Sequence, residues 1–401
     1  MRNDTRIKIK GILFILMCLI LSGANQMISQ PLKIHTLHVH GDAHIIQTPG
    51  GKTMLIDAGS PWHSGIVKNY IDSLGIDTID IAYVSHFHGD HFGGFTGEDG
   101  ILASLHVKEF FCVNEENAKE YFNHLVLPFS KNPDIEYHVM KKGDLIDLDP
   151  EIEIRVLYPP DSYPDRGKNN GSAACMITDL RNGKKFLYMG DGLEHQAKDL
   201  VALYHDDLRC DVLKYAHHLQ YESDDQYSLG TFMEVTQPRF GIITKHKMSK
   251  PGPKYHDLTI QSLEKLYDYT WNSQSGLKSL YLAKHGHITV TCTEDGIISM
   301  SASKNNLYIP PEIVASEDPG VKNGPLILTM TLSEPTWDQY IEEIRGCYSM
   351  DGGATWNEFF YPDKQLKINK TTTVLMKARD VYGNSSDTKS IEIVFPSAVD
   401  N

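Results

Sequence analysis

The chain has 401 residues, too many for one compact core and enough for about two domains. Apolar residues make up 41% and charged residues 22%, an ordinary globular composition. The 52 carboxylates outnumber the 38 basic residues, so no stable nucleic-acid complex is expected, because polyanions need a basic face to release their counterions.

The N-terminus carries Arg2, Arg6, Lys8 and Lys10, then the uncharged apolar run Gly11–Leu21, then the small residues Ser22-Gly23-Ala24. That run is short for a membrane span and reads as a signal peptide over residues 1–24, with an uncleaved anchor as the competing reading. A secreted or periplasmic location with no membrane span after its removal follows. Cys18 follows Met17 rather than the small residues expected before a lipidated cysteine. Cys112, Cys175, Cys210, Cys292 and Cys347 are scattered and form no Cys-x-x-Cys pair, so they read as buried small hydrophobes rather than a disulfide framework.

Further along, Ile45-Ile46 leads through Thr48-Pro49-Gly50-Gly51 to Met54-Leu55-Ile56, a hairpin signal. A helical stretch runs from Ser64 to Leu74, and Ile79–Val84 is a strand that ends at a cluster of histidines. Glu151–Leu157 alternates, with Ile152, Ile154 and Val156 on one face. Lys185–Met189 and Val212–Tyr215 read as strands and Ile260–Tyr269 as a helix. Strands mixed with helices over residues 33–303 predict a layered α/β domain. Residues 304–312, with Pro310-Pro311, read as a linker. Beyond it, Leu326–Leu332, Thr371–Ala378 and Ser390–Phe395 are β-rich and separated by turns at Asp351-Gly352-Gly353 and Tyr382-Gly383-Asn384. They predict a small all-β sandwich over residues 313–401, with Trp337–Ile344 as its one candidate helix.

The decisive feature is His86-Phe87-His88-Gly89-Asp90-His91, which places three imidazoles and a carboxylate directly after a strand. Imidazole and carboxylate are good zinc ligands. His86 and His88, two apart, can reach one centre from an extended loop, while Asp90 and His91 point elsewhere and can hold a second ion. A cluster of surface histidines is the bland alternative. Asp191 follows Gly190 at the end of an apolar strand; its carboxylate can bridge two cations, one oxygen to each, or cap a helix. His217-His218 again follows a strand, and the residues leave open which of the two is a ligand.

These features together resemble the metallo-β-lactamase superfamily, whose H-x-H-x-D-H signature is matched in full. Gly41-Asp42-Ala43, Thr48-Pro49-Gly50-Gly51-Lys52, Leu55-Ile56-Asp57-Ala58-Gly59, Asn169-Asn170-Gly171-Ser172, Phe186–Asp191 and Asp211–His218 follow in order. They resemble the hydrolase domain of competence-type DNA-uptake proteins and the secreted phosphorylcholine esterases. The resemblance covers roughly residues 33–302 and implies an αββα sandwich. It implies two zinc ions, or manganese, held by His86, His88, Asp90, His91, Asp191 and His218, with Asp191 between them. It also implies that Asp57 orients the metal loop, although a plain turn Asp is an equal reading of its context. His217 then faces the substrate as an acid or hydrogen-bond donor. One histidine that many members carry before the bridging Asp is missing, and Asn169-Asn170 stands there. A wetter first site, and single-metal occupancy, follow from that gap. Asn170 or Asn169 can contact metal or substrate, with turn formation as the simpler role. The C-terminal part loosely resembles bacterial Ig-like modules through Tyr348–Gly353 and Lys377–Asp380.

The expected activity is therefore metal-dependent hydrolysis, with Asp90, His217 and Asp191 as catalytic residues and a hydroxide held by the metals as nucleophile. A small-molecule or polymeric phosphodiester or ester of the envelope or extracellular space is the expected substrate. Two rivals are a β-lactamase or lactonase type of amide or ester hydrolase, and a non-catalytic surface-binding protein with a vestigial metal domain. The C-terminal sandwich would then contact a surface glycan. Glu194 reads as a first-turn helix carboxylate or a general acid. His35, His38, His40 and His44 lie at mixed parity, so only His40 or His44 is a candidate for lining the site; His285 and His287 read as structural, and His256 sits where competence-type relatives carry Tyr-Gly-His.

Overall fold

The computed structural model describes residues 30–113, 132–159, 169–220, 227–245, 262, 265–266, 277–304, 312–332, 344–360, 362–380 and 386–396. The expected signal peptide, the expected linker at Pro310-Pro311, His256 and the expected turn at Tyr382-Gly383-Asn384 lie outside them. Of the expected helix Ile260–Tyr269, only Ser262, Lys265 and Leu266 are described, and they are helical. Of Trp337–Ile344 only Ile344 is described, and it opens a strand.

The first domain begins with β1 (Leu32–Thr36), β2 (Ala43–Gln47), β3 (Thr53–Ala58) and helix α1 (Ser64–Ser73). Strand β4 (Thr78–Tyr83) leads into the short helix α2 (Gly89–Phe92), followed by β5 (His106–Cys112), β6 (Glu136–Val139), β7 (Leu145–Asp149) and β8 (Ile152–Tyr158). Then come β9 (Ala174–Asp179), β10 (Lys184–Tyr188), helix α3 (Glu194–Tyr204), β11 (Val212–Lys214), helix α4 (Thr231–Thr236), β12 (Phe240–Ile243), β13 (Lys278–Tyr281), β14 (Ile288–Cys292) and β15 (Ile298–Ala302). They form two sheets, ordered β15-β14-β1-β2-β3-β4-β5-β6 and β13-β12-β11-β10-β9-β8-β7. Both sheets are mixed: β3 to β6 and β10 to β13 pair in parallel, as strands joined by crossovers must, and the remaining neighbours pair antiparallel.

Period-two alternation decides which side chains meet between the sheets. Phe186 and Tyr188 of β10, Cys175 and Ile177 of β9, and Ile154 and Val156 of β8 join one core with Ile34, Ile46 and Tyr83 of the opposite sheet. Their neighbours Leu187 and Met176 point the other way, into a second core with Ala197 and Leu200 of α3 and Phe232 and Met233 of α4. The layers are therefore helix, sheet, sheet, helix, with Val67 and Ile71 of α1 buried on the far side. The five described cysteines form no disulfide and are buried, four of them in these layers and Cys347 in the C-terminal region.

The C-terminal region is all β. Strands β16 (Ile313–Ala315), β17 (Gly320–Val321), β18 (Leu326–Leu332), β19 (Ile344–Ser349), β20 (Asn357–Phe360), β21 (Asp363–Ile368), β22 (Thr372–Asp380) and β23 (Lys389–Val394) form two sheets, β16-β18-β21 and β17-β23-β22-β19-β20. Leu328 and Met330 of the first sheet pack with Val374, Met376 and Ile393 of the second in a separate core. No helix among the described residues is long and apolar enough to cross a membrane.

Candidate metal centre

Loops leaving the C-terminal ends of β3, β4, β10 and β11 converge beside the loop between β1 and β2. Directly after β4, Phe87 is fully buried and packs edge-on against Phe92, ring centroids 5.1 Å apart. That anchor sends Phe87 into the core and leaves His86 and His88, on either side of it, to come together with Nε2 and Nδ1 3.1 Å apart. The chain then turns into α2, which carries Asp90 and His91, and the His91 ring lies against that of His86, centroids 4.2 Å apart.

Asp191 sits between the two groups. Its Oδ2 lies 3.8 Å from His86 Nε2, 3.1 Å from His91 Nε2 and 3.5 Å from His218 Nε2. Asp90 Oδ2 completes the second group, 3.3 Å from His218 Nε2. The same oxygen faces both groups, and Oδ1 lies 3.7 Å from Lys214 Nζ. Strand β10 already ends at Tyr188, so Asp191 lies in the following turn, and it caps nothing: the residue before α3 is Leu193, with no side-chain cap.

His91 and His218 are held from behind. Asp57 Oδ2 lies 2.8 Å from His91 Nδ1, and the same carboxylate accepts hydrogen bonds from Ser85 N at 2.8 Å and Ser85 Oγ at 2.6 Å. His218 Nδ1 meets Thr244 Oγ1 at 2.9 Å and Asp42 Oδ1 at 3.2 Å. Such outer carboxylates fix the ring and its tautomer, which is how metal-holding histidines are usually oriented. Close backbone approach makes this geometry possible. Gly41 has φ +90° and a Cβ there would collide with the Asp90 carbonyl. Gly190 has φ +56° and a Cβ would sit 2.8 Å from that of Ser172.

Asp42 and Lys214 stand in the sequence motifs but were not singled out as site residues. Lys214 is 1% exposed; its ammonium contacts Asp42 Oδ2 and donates to the Gly190 carbonyl at 2.8 Å. A lysine inside a buried strand, in Val212-Leu213-Lys214, is the signal that was available, because a fully buried ammonium requires a carboxylate partner. Lys214→Met leaves the 1%-exposed Asp42 carboxylate without its cation. The expected loss of stability is about 3–5 kcal/mol, read from the urea midpoint of metal-free protein.

The two adjacent histidines do not lie on an extended segment. Strand β11 ends at Lys214, and His217, His218 and Leu219 all have positive φ, at 48°, 54° and 62°. Non-glycine residues held in this left-handed region are strained, which the surrounding structure must support. The rings still diverge. His218 Nε2 enters the second group, whereas His217 Nδ1 donates to the Gln220 carbonyl at 2.9 Å and its Nε2 meets Asn169 Nδ2 at 3.2 Å. Asn170 works on the backbone: its Oδ1 accepts from Leu193 N at 3.1 Å and so steadies the turn that carries Asp191. Glu194 pairs with Lys198 at 2.7 Å on the first turn of α3. Of the early histidines, His44 is buried against Thr36 and Tyr188, while His40 is only partly buried and near the centre. His287 Nδ1 accepts from the His38 backbone N–H.

The centre is short of positive charge. Burial pulls Asp191 and Asp42 up, but facing cationic groups outweigh it and hold both well below the usual carboxylate range: His91 and His218 for Asp191, Lys214 and His91 for Asp42. Burial pulls His91 and His218 down; the facing carboxylates, Asp191 first, reverse this and raise His91 well above its ordinary value and His218 to about 9. His86 lacks that surplus of carboxylates, and burial together with His91 depresses it. Nε2 of His91 and of His218 are buried and make no hydrogen bond, although both converge on Asp191. Imidazole nitrogens and carboxylate oxygens gathered within 4.8 Å of one another, as Asp42, His91, Asp191 and His218 and as His86, His88 and Asp191, fit a metal cation.

A family model described as the Metallo-beta-lactamase superfamily matches residues 38–98, from the loop before Asp42 to just past the histidine cluster. Among solved structures, the chain is similar to a diphosphatase from the PhnP family, 14% identical over 52% of this chain and 85% of that one, with a TM-score of 0.35. It is similar to Zn(2+)-bound PqqB from Methylobacterium extorquens, 11% identical over 64% of this chain and 85% of that one, TM-score 0.37. A flavodiiron protein from Giardia intestinalis is 12% identical over 57% and 53%, TM-score 0.31. No curated protein matches. Family match, layer order and His/Asp cluster define the class: a metallo-β-lactamase αββα domain followed by a β-sheet domain.

Proposed function

We propose that this chain is an exported metal-dependent hydrolase that holds two zinc ions, or manganese, and cleaves a phosphodiester or ester of the envelope or extracellular space. The observation that carries the reading is Asp191 Oδ2 lying between two imidazole groups in a buried, charge-deficient centre. His86, His88 and Asp191 would hold one cation, and Asp90, His91, His218 and Asp191 the other. Bound cations there supply Lewis acidity, both toward water and toward the oxygen that gains charge in the reaction. The chain's own residues do the rest. Asp57 and Asp42 keep His91 and His218 in the donor tautomer, and Lys214 keeps Asp42 and Asp191 apart. His217, outside the metal groups and donating through Nδ1 to Gln220 O, would face the substrate as an acid or hydrogen-bond donor once its Nε2, which meets Asn169 Nδ2, is protonated. The likeness of the Gly41–Lys52 and Asp211–His218 segments to competence-type hydrolase domains and phosphorylcholine esterases supports ranking phosphodiesters first. An Ig-like C-terminal sandwich would hold the enzyme on a surface glycan.

Purified protein is expected to carry between about one and two equivalents of zinc per chain, in keeping with a two-site cluster. With zinc or manganese it should turn over a chromogenic bis-phosphodiester, a phosphorylcholine ester or a simple ester. Elemental analysis that finds no metal, together with no thermal shift on adding either ion, rejects the reading.

A further inference from the structure

A cavity of about 550 Å³ opens at the end of the first sheet opposite the metal centre. It lies where β3 and β4 begin, at Thr53 and Thr78, whereas the metal loops leave the other ends of the same strands. Strand β3 runs about 13 Å from Thr53 at the cavity to Asp57 at the centre. Such a volume is in the range of small-ligand sites. Its charged lining is three ammoniums, of Lys33, Lys52 and Lys108, and two carboxylates, of Asp77 and Asp80. That balance is positive in a chain whose net charge is −14.

Asp80 belongs to the wall itself. Its Oδ2 accepts from Thr53 N at 2.9 Å, and its Oδ1 lies 2.6 Å from Lys108 Nζ and 3.5 Å from Lys52 Nζ. One carboxylate between two ammoniums cannot neutralise both. It holds two side chains, each 48% exposed, at the cavity and leaves a positive charge over.

Lys33 adds a second charge. It is partly buried and makes no ion pair among the described residues. Directly across the β1–β2 pair stands Gln47, so both side chains leave on the same face. Gln47 Oε1 accepts from His35 Nε2 at 3.0 Å, while His35 Nδ1 meets the hydroxyls of Tyr70 and Thr289, both at 3.2 Å. Those hydroxyls can donate to Nδ1, which leaves the ring proton on Nε2 and fixes the Gln47 oxygen there. The Gln47 NH2 then has no acceptor among the described residues. An ammonium and an amide NH2 side by side, both lacking an acceptor, suit an oxyanion. Backbone donors of the wall are already taken: Gly50 N by Asp149 Oδ2, Gly51 N by Thr48 O and Lys52 N by Thr48 Oγ1.

A bare phosphate fills only part of this volume. The remaining lining includes Asp77, exposed and without an ion pair among the described residues, and Gln30, whose carbonyl accepts from Arg181 Nη1 at 2.9 Å. A carboxylate and an amide are partners for hydroxyl groups. No aromatic ring is among the lining residues, so nothing there stacks on a base.

We infer that this cavity is a second binding site, independent of the metal centre, for a phosphorylated sugar. Lys33, Lys52, Lys108 and the Gln47 NH2 take the phosphate oxygens, and Asp77 and Gln30 take sugar hydroxyls.

The test is lysine protection in full-length protein as purified. Acetic anhydride labels it in the presence of glucose 6-phosphate, inorganic phosphate or glucose, and mass spectrometry follows each lysine. At ten times its Kd, glucose 6-phosphate should slow labelling of Lys33 by about tenfold, by mass action. Lys364, exposed in the C-terminal region, should be unaffected. Inorganic phosphate should protect the same lysine with an affinity about threefold to tenfold weaker, the worth of one hydrogen bond, and glucose should not protect it. Calorimetry on Lys33→Met should show both anions weakened by about tenfold or more, as loss of a charged hydrogen bond does. Asp77→Ala should remove the preference for the sugar phosphate and leave inorganic phosphate at least as tight. Zinc content and unfolding midpoint should match the parent in both variants. Unprotected Lys33, or phosphate affinity unchanged in Lys33→Met, overturns the site. Equal affinity for the two anions in the parent, or a preference that survives Asp77→Ala, overturns the sugar.

Discussion

Asp191→Asn is expected to lower turnover by at least about a hundredfold, the scale seen when a shared metal-holding group loses its charge. The carboxylate is 2% exposed and touches both imidazole groups through Oδ2, so no water can take its place without a rearrangement. An amide of the same shape presents either a neutral oxygen or an N–H to the cations. It also removes the negative charge opposite Lys214, 3.7 Å from Oδ1, which leaves that buried ammonium to Asp42 alone. The measurement is kcat under saturating zinc, with metal content determined on the same sample. Near-parental turnover at full occupancy would reduce Asp191 to a structural residue of the turn.

A second large effect separates His217 from His218. His218→Ala removes the nitrogen that meets Asp90 and Asp191, at 3.3 and 3.5 Å. Metal content should fall together with rate, by roughly tenfold to a hundredfold in affinity. His217→Ala removes a ring that meets Gln220 O and Asn169 Nδ2. It should keep its metal and lose about a hundredfold or more in rate, the usual contribution of a positioned acid or base. Elemental analysis of both variants decides the assignment. A metal-depleted His217→Ala beside a metal-replete His218→Ala would exchange the two roles and leave the fold untouched.

Local order was open to a reading of the residues. The hairpin at Ile45–Ile56, α1, the alternation of Ile152, Ile154 and Val156, and the all-β pattern after residue 312 are periodic over consecutive residues, so the layered α/β class followed by a β domain was legible. The donors of His86–His91 were legible for the same reason, since six consecutive residues after one strand carry them all. What alternation cannot tell is which distant segments meet. Asp42 is a turn residue in the chain and a partner of Lys214 and His218 only because β1–β2 and β11 end side by side. The direction of the two histidines followed from a left-handed turn at His217-His218-Leu219, which no propensity favours in non-glycine residues and only surrounding contacts can impose. Thus the sequence by itself determined the element types and the chemical identity of the donors. Their convergence, the oxygen of Asp191 that faces both groups, and the buried Lys214 that balances it were decided by tertiary packing. Charges this close and this deep are tolerable only when the whole arrangement is in place.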